Sequence, residues 1–142
     1  MENSINTKER ARRRELAHQA RALIAQTLPI EDADESSVML GYGGFYLQIA
    51  FSELHPLMAI YLARALARQS TAKDVRLINE LNLKGVLGSH ALNPEAGCYS
   101  YRAVHWLDTE LTKARFLEML ERDAGEAGRA YARLVHRTEE TA

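Results

Sequence analysis

The sequence predicts an α+β fold, helices laid against antiparallel strands, and three observations carry that expectation. Runs with apolar residues at helical spacing open and close the chain. VMLGYGGFYLQIAF and the stretch around NPEAG (93–97) each place strand-forming residues on both sides of a turn. A third helical run, starting at Thr71, separates those two segments.

From about Asn6, KERARRRELAHQARALIAQTL lacks Pro and Gly and spaces Leu16, Ala17, Ala20, Leu23 and Ile24 as one helical face, which Pro29 ends. The first half of this helix is almost wholly polar, so residues 1–14 are expected to fray or project. EDADESS, without periodicity or a large apolar residue, reads as a loop. Gly41, Gly43 and Gly44 then mark a tight turn between two short strands. His55 and Pro56 interrupt the chain. In the LMAIYLARALARQ that follows, Leu54, Leu57, Met58, Tyr61, Leu62, Ala65 and Leu66 match a helix face, so the local pattern alone reads as helix.

Thr71 and Asp74 form a capping box, and Val75, Ile78 and Leu81 are the expected buried side of the helix they open. It should end near Asn82 or Leu83, since Asn tolerates the conformation of a helix end and Gly85 follows. Of the two strands flanking the NPEAG turn, the first alternates Leu87, Ser89 and Ala91. The second sets Tyr99, Tyr101, Ala103, His105 and Leu107 on one face and Cys98, Ser100, Arg102, Val104 and Trp106 on the other. Asp108 or Thr109 caps the final helix, with Leu117, Leu120, Ala124, Ala127, Tyr131 and Leu134 as its apolar stripe. Gly125 and Gly128 inside it point to close packing against another helix or to a bend.

With 142 residues and a formal net charge of -1, the chain fits one α+β domain, 1–142, burying ~70% of its unfolded surface. MENSINTKER lacks the order of a signal peptide, and the apolar stretch 57–66 is too short and too interrupted, by Arg64, to span a membrane. No membrane association is expected. A lone cysteine, Cys98, suits a reducing compartment, and the cytoplasm is the expected one. Near-neutrality removes the general argument for nucleic-acid binding, and Arg12, Arg13 and Arg14, being consecutive, point in different directions around a helix. Basic residues from Lys8 to Arg14 and acidic ones from Glu118 to Glu126 give the two ends a mutual attraction, within one chain or between chains.

Catalytic chemistry finds no support. The histidines His18, His55, His90, His105 and His136 are far apart and lack ligand spacing, so no metal is expected. Cys98 and His105, seven residues apart on one strand, point to opposite faces and make poor nucleophile and base. GYGG lacks the Lys and Ser or Thr of a phosphate-binding loop. No cofactor and no enzymatic activity are expected.

At LINELNLKGVLGSHAL, with Leu77, Ile78, Asn79, Leu81 and Asn82 followed by a hairpin and by Asp108 ahead of a helix, the chain resembles the YbjN-like proteins, relatives in fold of the type III secretion chaperones. The resemblance covers the C-terminal half, and the N-terminal half by order of elements. It implies an N-terminal helix, a three-stranded antiparallel segment, a helix, a β-hairpin and a long C-terminal helix, often in a homodimer. Residues 57–69 then become the third strand, against their helical spacing, and strand is the reading adopted. The resemblance brings no catalytic residues. Asn79 and Asn82 are expected to hydrogen-bond backbone where the helix passes into the hairpin.

The expected function is a non-enzymatic chaperone-like or regulatory adaptor that binds a protein or peptide segment, as a homodimer. Tyr99, Tyr101, Trp106 and Tyr42, large amphipathic groups of the kind enriched at interfaces, are the expected contact residues. The alternative is a small-molecule sensor or an uncharacterised enzyme with a pocket between sheet and helix, using His105 or Glu53.

Overall fold

Asn6 opens the first helix, its side-chain oxygen accepting the Glu9 amide at 2.8 Å, and α1 runs Thr7–Thr27 until Leu28 and Pro29 turn extended. The computed structural model describes residues 6–85 and 87–141, with side chains as far as His136. The first five residues of the segment expected to fray or project lie outside that range. Further along, Arg12 and Arg13 donate to the carbonyls of Asp108 and Leu54, at 2.9 and 2.8 Å, tying the polar half of α1 to two loops. Ala17, Ala20 and Ile24 form its buried stripe.

The remaining elements are β1 (Asp32–Ala33), β2 (Ser37–Tyr42), β3 (Phe45–Ser52), β4 (Leu57–Ala65), α2 (Ala72–Lys84), β5 (Ser89–Asn93), β6 (Cys98–Trp106) and α3 (Lys113–Thr141). The strands form one antiparallel six-stranded sheet in the order β1-β2-β3-β4-β6-β5. The expected α+β order of elements holds, with one addition. Within EDADESS, expected to be a loop, Asp32 and Ala33 pair with Met39 and Val38 as a short edge strand. Gly43 and Gly44, at φ 58° and 87°, make the tight turn between β2 and β3, a backbone path that side chains other than Gly strain to follow.

β4 is a strand despite its helical spacing. Met58, Ile60 and Leu62 point into the core while Leu57, Ala59 and Tyr61 take the other face. Because both faces carry apolar residues, the alternation is masked and a helix-like spacing emerges by coincidence. Three other expectations are corrected. In α2, Asp74, Leu77 and Ile78 are buried, whereas Val75 is 50% exposed, because the capping box turns Asp74 inward onto Arg68. Thr112, rather than Asp108 or Thr109, caps α3 by accepting the Arg115 and Phe116 amides, since residues 107–111 are still held as a loop through the Leu107 amide on the Pro56 carbonyl. A Cβ at Gly128 would meet nothing within 4 Å and one at Gly125 only the Arg129 guanidinium, so neither marks a close helix approach.

The hinge from α2 into β5 is as expected for Asn82. Its amide donates to the His90 carbonyl at 3.0 Å and accepts the His90 N–H at 2.7 Å, closing a ring of two bonds. β5 begins only at Ser89 and turns His90 and Leu92 inward. The core gathers Leu47, Ile49, Ile60, Leu62, Tyr99 and Tyr101 of the sheet with Ile24, Leu77, Phe116 and Leu120 of the helices.

Candidate protein-binding surface

The strand alternation that buries one face of the sheet leaves the other uncovered. In β3, in β4 as far as Leu62 and in β6 as far as Ala103, every second residue is buried beneath the helices, and the residues between are part-exposed or exposed. Strand register lines these outward residues up in rows: Tyr46, Ala63 and Ser100; Gln48, Tyr61 and Arg102; Ala50, Ala59 and Val104; Ser52, Leu57 and Trp106. Ala50, Ala59 and Ala63 keep the middle of this surface low and apolar, while Tyr46, Val104 and Trp106 stand exposed around it.

Gln48, Ser52, Ser100 and Arg102 are the polar side chains of these rows, and three of them are held: Gln48 donates to the Ser37 hydroxyl at 3.2 Å and Ser52 accepts the His55 amide at 3.0 Å. The Arg102 Nε donates to the Tyr61 hydroxyl at 3.1 Å, and its guanidinium carbon lies 5.6 Å from the centre of the Tyr61 ring. At the far end, Trp106 and Val104 continue into a groove of about 460 Å³ walled by Leu107, Leu111, Arg115 and Met119. Beneath the groove, His105 turns to the helix side, where its Nε2 lies 2.7 Å from Oδ2 of the fully buried Asp123. The other Asp123 oxygen has no hydrogen-bond partner among the described residues.

Of the four expected contact residues, Trp106 alone faces this surface, and it is 68% exposed. Tyr99 and Tyr101 are 0% and 1% exposed, buried on the helix side of the sheet. Their hydroxyls are taken by Nδ1 of His90, at 2.7 Å, and by the Glu126 carboxylate. Burial raises both phenol pKa values above the ordinary tyrosine value, and for Tyr101 the Glu126 bond adds to the effect. Tyr42 is partly buried against the core on that same helix side. The physical reason is parity: residues two apart share a face, so Tyr99 and Tyr101 go with Ala103 into the core, and Trp106 goes with Val104 and Arg102 outward. The same parity sets Arg102 and Val104 outward, and pairing of β4 with β6 adds Tyr61, which its helix-like spacing had grouped with Leu57, Met58 and Leu62.

Among the described residues, neither Cys98 with His105 nor Glu53 with His105 forms a pair. Cys98 and His105 do project to opposite faces of β6, and His105 is engaged by Asp123. Glu53 is exposed beside Arg14 and His18, at 3.7 and 3.6 Å, on the α1 side and apart from His105. Arg12 and Arg13 both bond Glu9, so the N-terminal arginines have partners close by. Among the described residues no three His, Cys, Asp or Glu gather as a metal site, and no helix is long and apolar enough to cross a membrane.

No family model and no curated protein matches the chain. Solved structures do. A chain of the ExoT–SpcS complex from Pseudomonas aeruginosa superposes with a TM-score of 0.52 at 23% identity, over 88% of this chain and 98% of that one. A chain of the HopA1–SchA chaperone–effector complex superposes with a TM-score of 0.50 at 12% identity, over 88% and 99%. The chain has the fold found in these two chains.

Proposed function

We propose that this chain is a non-enzymatic chaperone-like adaptor that holds a segment of another protein on the open face of β3, β4 and β6, with Trp106 as its anchor. The observation that carries the reading is the uncovered face itself. It sets exposed Tyr46, Val104 and Trp106 around alanines and among polar side chains already engaged by neighbours, and a large exposed aromatic beside a groove is the kind of residue that anchors protein interfaces. The likeness in fold to chains from chaperone–effector complexes supports it. In the same proposal the chain works as a homodimer in the cytoplasm, regulating or escorting its partner, and belongs with the YbjN-like branch on the strength of Leu77, Ile78, Asn79, Leu81 and Asn82.

The test is capture of partners by tagged protein beside its Trp106→Asp variant, with sedimentation velocity on both. A discrete partner that the folded variant loses supports the adaptor, and a sedimenting dimer supports the homodimer. Equal capture by both proteins removes Trp106 from the site.

A further inference from the structure

Lys84, at the end of α2, and Arg129 and Arg133, on α3, line one cavity of about 280 Å³ together with Leu81, His90 and Glu126. It lies on the helix side of the sheet, apart from the open face. Among the described residues the one carboxylate in its wall is Glu126, which is occupied by the Tyr101 hydroxyl. Among the described residues none of the three cations takes part in an ion pair.

An exposed basic residue on a helix is ordinarily just solvated. Lys84 has a local reason for its place, since a cation suits the negative end of α2. Arg129 follows Glu126 by three residues, but that carboxylate takes the Tyr101 hydroxyl and forms no ion pair with it, and Arg133 has no carboxylate three or four residues before it. Four residues apart on one helix face, they repel each other, and they converge with a third cation from a second helix on a concave site. Counting Glu126, the wall carries a surplus of two positive charges. The buried His90 ring adds a polar edge, its Nδ1 being engaged by Tyr99.

We propose that this cavity binds a phosphate-type oxyanion, either free phosphate or the phosphoryl group of a small phosphomonoester. A dianion matches the charge surplus, and two guanidinium forks match its oxygens better than they match a single carboxylate. The volume lies at the lower edge of small-molecule sites and leaves room for a phosphoryl group with a small organic substituent. This site goes beyond the adaptor reading and does not rest on it.

The test is calorimetric titration of the full chain with inorganic phosphate, O-phosphoserine and acetate at constant ionic strength, in the wild type and in Arg129→Gln, Arg133→Gln and Arg122→Gln. Arg122 lies on α3 outside the cavity wall and near Glu118, and serves as the control. The expected result is saturable binding of at least one phosphate probe, weakened about tenfold by each cavity substitution and unchanged in the control. The tighter of the two phosphate probes identifies the source. No saturable binding of either, acetate binding as tightly, or equal weakening in Arg122→Gln overturns the site.

Discussion

Arg68 and Asp74 meet through two hydrogen bonds, 2.6 and 3.0 Å long, at a point where three segments of the chain converge. The same guanidinium donates to the Leu134 carbonyl of α3 at 3.0 Å, and the same carboxylate accepts the Thr71 amide that begins α2. One ion pair, its Asp74 buried and its Arg68 half-buried, therefore ties the exit of β4, the cap of α2 and the outer half of α3. Losing one member leaves the other charged and poorly solvated.

Arg68→Ala should lower the unfolding free energy by about 3–5 kcal/mol. The check is urea unfolding, with the midpoint shifted at unchanged slope. A shift below about 0.5 kcal/mol would mean that the clamp contributes nothing beyond an ordinary surface contact.

The clamp also sets an acid limit. The bond from Arg68, and then that from Thr71, hold the Asp74 carboxyl below the usual aspartate value of 3.8. Since the folded value is the lower one, this stabilisation is complete above 3.8 and is lost as pH falls through the folded value. Stability followed from about pH 5 to about pH 2 should fall more steeply in the wild type than in Arg68→Ala. Parallel curves would contradict the assignment.

His105 and Asp123 form a second such pair, and here Asp123 has one oxygen without a partner. His105→Leu should cost about 3–5 kcal/mol, because it strands a buried carboxylate. Adding Asp123→Leu should recover most of that loss, so the cycle will be strongly non-additive. Additive losses would show that the pair is not coupled.

The contrast between β6 faces gives a third comparison. Tyr101→Asp should fail to fold, since it puts a charge into the core, and Tyr101→Phe should cost about 1 kcal/mol for the lost bond to Glu126. Trp106→Asp should stay within about 0.5 kcal/mol of wild type. Thermal and urea unfolding of the three variants measure this directly.

Much of this architecture is legible in the residues themselves. Turn glycines at 43 and 44, the Thr71–Asp74 box and the alternation from Cys98 to Trp106 all lie where local physics puts them. β4 escapes local reading because both its faces are apolar, and it becomes a strand through pairing with β3 and β6, which no nearby residue reports. The candidate surface was half legible. Parity separated Trp106 from Tyr99 and Tyr101, but aromatic size drew all three together. The cavity between α2 and α3 was not legible at all, because Lys84 and Arg133 are neighbours only after folding.

The central claim is that a partner segment lies on the open face of the sheet. The most direct measurement places a photo-crosslinking amino acid at Tyr61, at Trp106 or, as a control on the exposed side of α3, at Glu121, and maps the products by mass spectrometry. Crosslinks of one partner segment to positions 61 and 106, with none at 121, are the predicted result. Crosslinks confined to position 121 would contradict it.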